Sequence, residues 1–90
     1  LKAEAKARME AEEAETQRRI QERMEQRRRE ELAEKRARYD HLKGLIAEQE
    51  RIISENKGWF GAQAKTRKIA QGQLNALQEQ LLHEFPKGKP

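Results

Sequence analysis

Residues 56–61 of the chain read Asn56-Lys57-Gly58-Trp59-Phe60-Gly61. Asparagine and glycine adopt the left-handed backbone conformation that ends helices, and the two glycines bracket two large aromatic side chains. On both sides of this segment the chain is rich in Ala, Glu, Arg, Gln and Leu, which are strong helix formers. The segment therefore predicts a turn that joins two helices.

After the turn, apolar side chains recur at the spacing of one helical face. The repeat consists of Ala70, Leu74, Leu77, Leu81 and Phe85. Prolines at 86 and 90 end the pattern, because proline cannot continue a helix. The spacing predicts a second amphipathic helix over residues 61–84, followed by a flexible basic tail at 85–90.

Before the turn, a matching stripe repeats every seven residues from Leu32 onward, and Leu45 and Ile52 widen it. Two such stripes joined by a short turn shield each other by antiparallel packing, so we expect a helical hairpin over residues 39–84. The side chains expected to pack between the helices are called the seam. They are Tyr39, Leu42, Ile46, Ile53, Leu74, Leu77 and Leu81.

Residues 1–38 carry few large apolar side chains and many charges. Favourable i,i+4 pairs recur here, among them Glu15 with Arg19 and Glu34 with Arg38, and each contributes about 0.2–0.5 kcal/mol. No proline interrupts residues 2–56. The pattern predicts a charged, solvent-exposed single-helix arm that continues into the hairpin, in an all-α, coiled-coil-like fold.

The composition bounds the possible functions. Only 34% of residues are hydrophobic and 40% are charged, so a globular core and a concave catalytic pocket are not expected. His41 and His83 are isolated, Ser54 is the only serine, and there is no cysteine. We therefore expect no enzyme activity, metal, cofactor or small-molecule substrate. The lack of cysteine fits a reducing, cytoplasmic compartment.

Basic and aromatic residues concentrate near the turn, and no acidic residue occurs between Glu55 and Glu79. We call this set the tip. It comprises Trp59, Phe60, Lys57, Lys65, Arg67 and Lys68. The aromatics either close the end of the seam or form an exposed hot spot for a partner. The cations either form a solvated face or, with the free N–H groups of the second helix, bind a phosphate, a carboxylate or an acidic surface.

These features favour a structural interaction module: a helical spacer and scaffold with a hairpin that docks a partner protein or oligomerises. Ile69 and Leu82 lie beside the apolar stripe, so pairing of hairpins is one prediction. Another arrangement pairs the first helix with its own copy in a coiled-coil dimer. The alternative from a different class is a basic accessory factor that binds nucleic acid or an anionic membrane through the tip. The chain begins with Leu1 rather than Met, which predicts that it is a fragment.

Overall fold

The computed structural model describes all residues 1–90 and confirms an all-α fold with a helical hairpin. Helix α1 spans Lys2–Glu55 and helix α2 spans Ala62–Glu84. The connecting residues 56–61 contain the predicted Asn-Lys-Gly-Trp-Phe-Gly segment. The chain divides into two compact units, Leu1–Ala33 and Glu34–Pro90, with the hairpin in the second.

The first unit is a solvent-exposed stretch of α1. Every residue in it is exposed, including Met9, Ile20 and Met24. The predicted pair between Glu15 and Arg19 forms, with 3.5 Å between Arg19 Nε and Glu15 Oε1, and Arg18 Nη2 lies 2.8 Å from the same carboxylate oxygen. Such exposed pairs contribute a few tenths of a kcal/mol each, roughly 0.2–0.5, so this helical stretch depends on intrinsic propensity as much as on side-chain contacts.

In the second unit, the contacts between the helices follow an antiparallel register. Arg38 Nε lies 3.2 Å from Glu84 Oε1 near the open end of the hairpin. At the closed end, Arg67 of α2 contacts the backbone of residues that follow α1. The predicted ion pair between Glu34 and Arg38 does not form, because Arg38 pairs with Glu84 of α2 instead. This contact also shows that the packing against α2 reaches residue 38, which was assigned to the arm.

The core of the hairpin is small and narrow. Its buried side chains are Leu42, Ile46, Ala70, Leu74 and Phe85. Leu42 is the most enclosed, at 1% exposure. The remaining seam residues, Tyr39, Ile53, Leu77 and Leu81, are half-buried. A two-helix layer cannot cover its apolar edges completely, which explains why only part of the seam is fully removed from water.

One polar group lies within this layer. Gln49 is half-buried, and its side-chain carbonyl oxygen is buried without a hydrogen-bond partner. Gln49 occupies the apolar stripe of α1 beside Ile52, Ile69 and Ala70. A buried acceptor without a partner destabilises the fold, by roughly 1–3 kcal/mol. The apolar stripe of α1 therefore contains one position at which an apolar residue would pack more favourably.

Phe85 belongs to the packed hairpin, in agreement with its place in the apolar repeat, although residues 85–90 were assigned to the flexible tail. Its ring meets Tyr39 edge to face, with centroids 5.4 Å apart and planes at 89°. The Tyr39 hydroxyl also donates a hydrogen bond of 3.3 Å to the Gly88 carbonyl. Beyond Phe85, residues 86–90 are exposed. The mobility of these last residues stays a prediction.

Gly61 has a backbone conformation that only glycine adopts readily, with φ 76° and ψ −148°. We expect Gly61→Ala to lower the free energy of unfolding by about 1–3 kcal/mol, the usual cost of forcing a side chain into this region. A Cβ atom at Gly61 would meet nothing within 4 Å, so the loss would report backbone strain rather than a clash. Urea denaturation followed by circular dichroism measures it.

Gly44 provides the matched control for this substitution. It lies within α1, and a Cβ there would also meet nothing within 4 Å. Gly44→Ala is expected to raise stability by up to about 1 kcal/mol, because alanine favours the helical backbone. Equal effects of the two alanines, in either direction, would contradict a special role for the Gly61 backbone.

Candidate functional site: the hairpin tip

The turn begins where Asn56 ends α1. Its side-chain amide donates a hydrogen bond of 2.7 Å to the Ile52 carbonyl, and its backbone N–H lies 3.1 Å from the same oxygen. The last carbonyls of a helix lack partners within the helix and carry negative partial charge. Asn56 therefore satisfies part of the C-terminus of α1 and fixes where the chain leaves it.

Arg67 ties the turn to α2. Its Nη1 donates hydrogen bonds to the carbonyl oxygens of Asn56, at 3.1 Å, and Gly58, at 2.7 Å. This contact places a guanidinium at the C-terminus of α1, where a cation complements the helix dipole. It accounts for one cation in the first turns of α2, where positive charge is otherwise unfavourable. Arg67 was predicted as a partner-binding residue, and its bonds show that it also has a structural role.

Gln63 provides a second tie between turn and helix. Its side-chain oxygen accepts a hydrogen bond of 3.0 Å from the Gly58 N–H. A Cβ atom on Gly58 would overlap this side-chain amide, so a larger residue there would displace the Gln63 side chain and break the hydrogen bond. By spacing, Gln63 begins the seven-residue repeat of α2, but its hydrogen bond to the turn and those of Arg67 were not predicted. Polar side chains within two turns of a predicted helix end are the signal that could have indicated them.

The two aromatic residues of the tip point into solvent. Trp59 is 84% exposed and Phe60 is 91% exposed. The interpretation that they close the end of the seam is therefore wrong. The physical reason is that Arg67 and Gln63 hold the turn by its backbone, so the turn closes without burying either ring.

The lysines of the tip are exposed and form no salt bridge. Lys65 and Lys68 border a shallow surface depression together with Trp59, Ala64 and Arg67. Lys57 lies two residues before Trp59 on the turn and is also exposed. The structure thus brings an exposed indole and two free ammonium groups to one place on the surface.

The net charge of the whole chain, +4, equals that of the segment that contains the tip. Residues 56–78 contain four basic and no acidic side chains. Residues 1–55 contain fourteen of each sign, and residues 79–90 contain two of each. Attraction to a negatively charged partner is therefore concentrated at this end of the hairpin.

No group of three or more His, Cys, Asp or Glu side chains is placed to hold a metal ion. No helix combines the length and the apolar run that crossing a bilayer would require. Comparison of the chain with protein-family models, with curated proteins and with solved structures finds no significant match.

Proposed function

We propose that the chain is a structural interaction module whose tip docks onto a negatively charged partner, with the charged first helix acting as a spacer. The observation that supports this function best is the exposure of Trp59 and Phe60 within the segment that accounts for the net charge. Large aromatics dominate binding hot spots, and their exposure in a free protein leaves apolar surface for a partner to cover.

The hairpin supports this role by holding the tip in shape. Hydrogen bonds from Arg67 and Gln63 hold the backbone of the turn. Binding of a partner would therefore lose little further backbone entropy. The seam below supplies the packing that keeps the two helix ends together. Free cations and exposed rings on a fixed turn are suited to docking onto the surface of a partner.

Self-association of hairpins has less support. Ile69 and Leu82 are 57% and 64% exposed, as expected for apolar edges. Their spacing along α2, however, puts them on opposite sides of the seam rather than in one patch. Pairing through either residue alone would bury little apolar area compared with a stable interface.

Trp59 is the only tryptophan of the chain, so its fluorescence reports the tip directly. We expect a blue shift and saturable binding with at least one of three anionic probes: polyglutamate, duplex DNA, or vesicles that contain phosphatidylserine. Phe60→Ser should weaken that binding at least tenfold, because burying a Phe side chain contributes about 1.5–3 kcal/mol.

Leu82→Ser is the matched control, since it removes an exposed apolar side chain of α2 outside the tip. This variant should bind like the parent protein. If no probe shifts the Trp59 emission, or if both serine variants weaken binding equally, the tip is not a docking site.

A further inference from the structure

We propose that the partner of the tip is the surface of an anionic phospholipid bilayer. This inference rests on the proposed docking function and names the partner. The structure combines exposed aromatic rings, free lysines and a fixed turn at one end of the hairpin.

The aromatic pair fits the interfacial layer of a membrane. Trp59 and Phe60 are adjacent on the turn, and both are almost fully exposed. Tryptophan favours the headgroup level of bilayers, where its ring is apolar and its N–H can remain hydrated. Neither ring contributes to the buried core of the hairpin, so both can enter the interface without unfolding it.

The kind of cation also favours lipid over protein. Protein interfaces are enriched in arginine and depleted of lysine, because the planar guanidinium matches carboxylates with two parallel hydrogen bonds. The only arginine of the tip, Arg67, donates to the backbone of the turn. The three free cations are lysines, whose long flexible stems let the charge reach a fluid layer of headgroups while the ring beside it is buried.

The positions of these groups fit a lipid phosphate. Lys65, Lys68 and Trp59 line the same shallow depression. A phosphodiester at the headgroup level would therefore meet two ammonium groups when the indole enters the interface. No carboxylate in residues 56–78 would repel it.

Nucleic acid fits the same observations less well. Binding to a duplex or a single strand depends on many phosphate contacts, or on several aromatic platforms along a groove. The tip offers three free lysines and two adjacent rings at the end of a narrow hairpin. Its basic surface is thus small, whereas a bilayer can present anionic groups around the whole tip.

The test uses all 90 residues of the chain and the fluorescence of Trp59. Vesicles of phosphatidylcholine mixed with phosphatidylserine should shift the emission to the blue, and brominated lipids should quench it. A lysine near an anionic surface strengthens binding about fivefold, so three lysines predict about 100-fold weaker binding to phosphatidylcholine alone. High salt should reduce the difference.

Charge variants locate the effect. Lys65→Gln with Lys68→Gln should weaken binding to anionic vesicles about 25-fold, on the same basis. Lys87→Gln with Lys89→Gln is the matched control, because it removes the same charge from exposed lysines of the C-terminal tail. Circular dichroism of both double variants checks that they remain folded. Equal losses for the two would overturn the assignment to the tip.

The remaining outcomes separate this inference from the docking function. Binding to polyglutamate or duplex DNA without binding to vesicles would overturn the lipid assignment and leave the docking function standing. Displacement from vesicles by millimolar glycerophosphate alone would show that the tip takes a free phosphate rather than a bilayer, and would also overturn it. If no probe changes the Trp59 emission, both proposals are overturned.

Discussion

Leu42→Ala is expected to destabilise the hairpin by about 2–5 kcal/mol, the range observed when a buried leucine is truncated in a packed core. Leu42 is the most enclosed side chain of the seam, at 1% exposure. Alanine is a better helix former than leucine, so the loss would come from packing and not from helix propensity. The hairpin buries only five side chains, so truncation of one of them removes a large part of its packing.

Leu32→Ala makes the same chemical change in the same helix at a position that is 54% exposed. It should change the free energy of unfolding by no more than about 0.5 kcal/mol. Urea titrations followed by circular dichroism would place the two midpoints far apart. Coinciding midpoints would show that α1 and α2 do not pack through Leu42. The helix packing that is proposed to hold the tip in a fixed geometry would then be absent.

The sequence predicted the fold because the two apolar stripes are long and because asparagine and glycine mark the turn between them. Ala70 and Leu74 on one helix and Leu42 and Ile46 on the other lie at the predicted positions and are buried. A two-helix hairpin allows only one way to cover both stripes. The direction of packing followed from the shortness of the turn.

The state of the tip could not be predicted from the sequence. Whether Trp59 and Phe60 close the seam or face solvent depends on how the backbone of the turn is held. That depends on hydrogen bonds from Arg67 and Gln63 across the turn, and their partners are carbonyl and N–H groups that every sequence has. Composition indicates that cations are present, but it does not show which of them forms hydrogen bonds with the backbone of the turn.

The polar residue in the apolar stripe of α1, Gln49, illustrates a second limit of prediction from the sequence. Gln49 falls in the apolar stripe by spacing, so periodicity alone treats its position like those of the apolar residues around it. In the structure its carbonyl oxygen is buried without a partner. A single polar residue at a core position can fix the register of paired helices at the expense of stability. Periodicity locates such a position, whereas its hydrogen-bonding state depends on the neighbours that α2 supplies.

The open end of the hairpin gives the second large effect. Phe85→Ala should destabilise the hairpin by about 3 kcal/mol, the lower end of the range for truncating a buried phenylalanine, because the site lies at the end of the packed layer. Phe85 is 7% exposed and meets the Tyr39 ring edge to face. The substitution removes both the buried area and the aromatic contact.

Phe60→Ala is the matched control, since it truncates the same side chain where it is 91% exposed. Its effect on the free energy of unfolding should stay within about 0.5 kcal/mol. Tyr39→Phe separates the two contacts of Tyr39, because it keeps the ring and removes only the hydrogen bond to Gly88. That variant should lose about 0.5–1.5 kcal/mol. If it lost as much as Phe85→Ala, the hydrogen bond to the tail, and not ring packing, would close the open end.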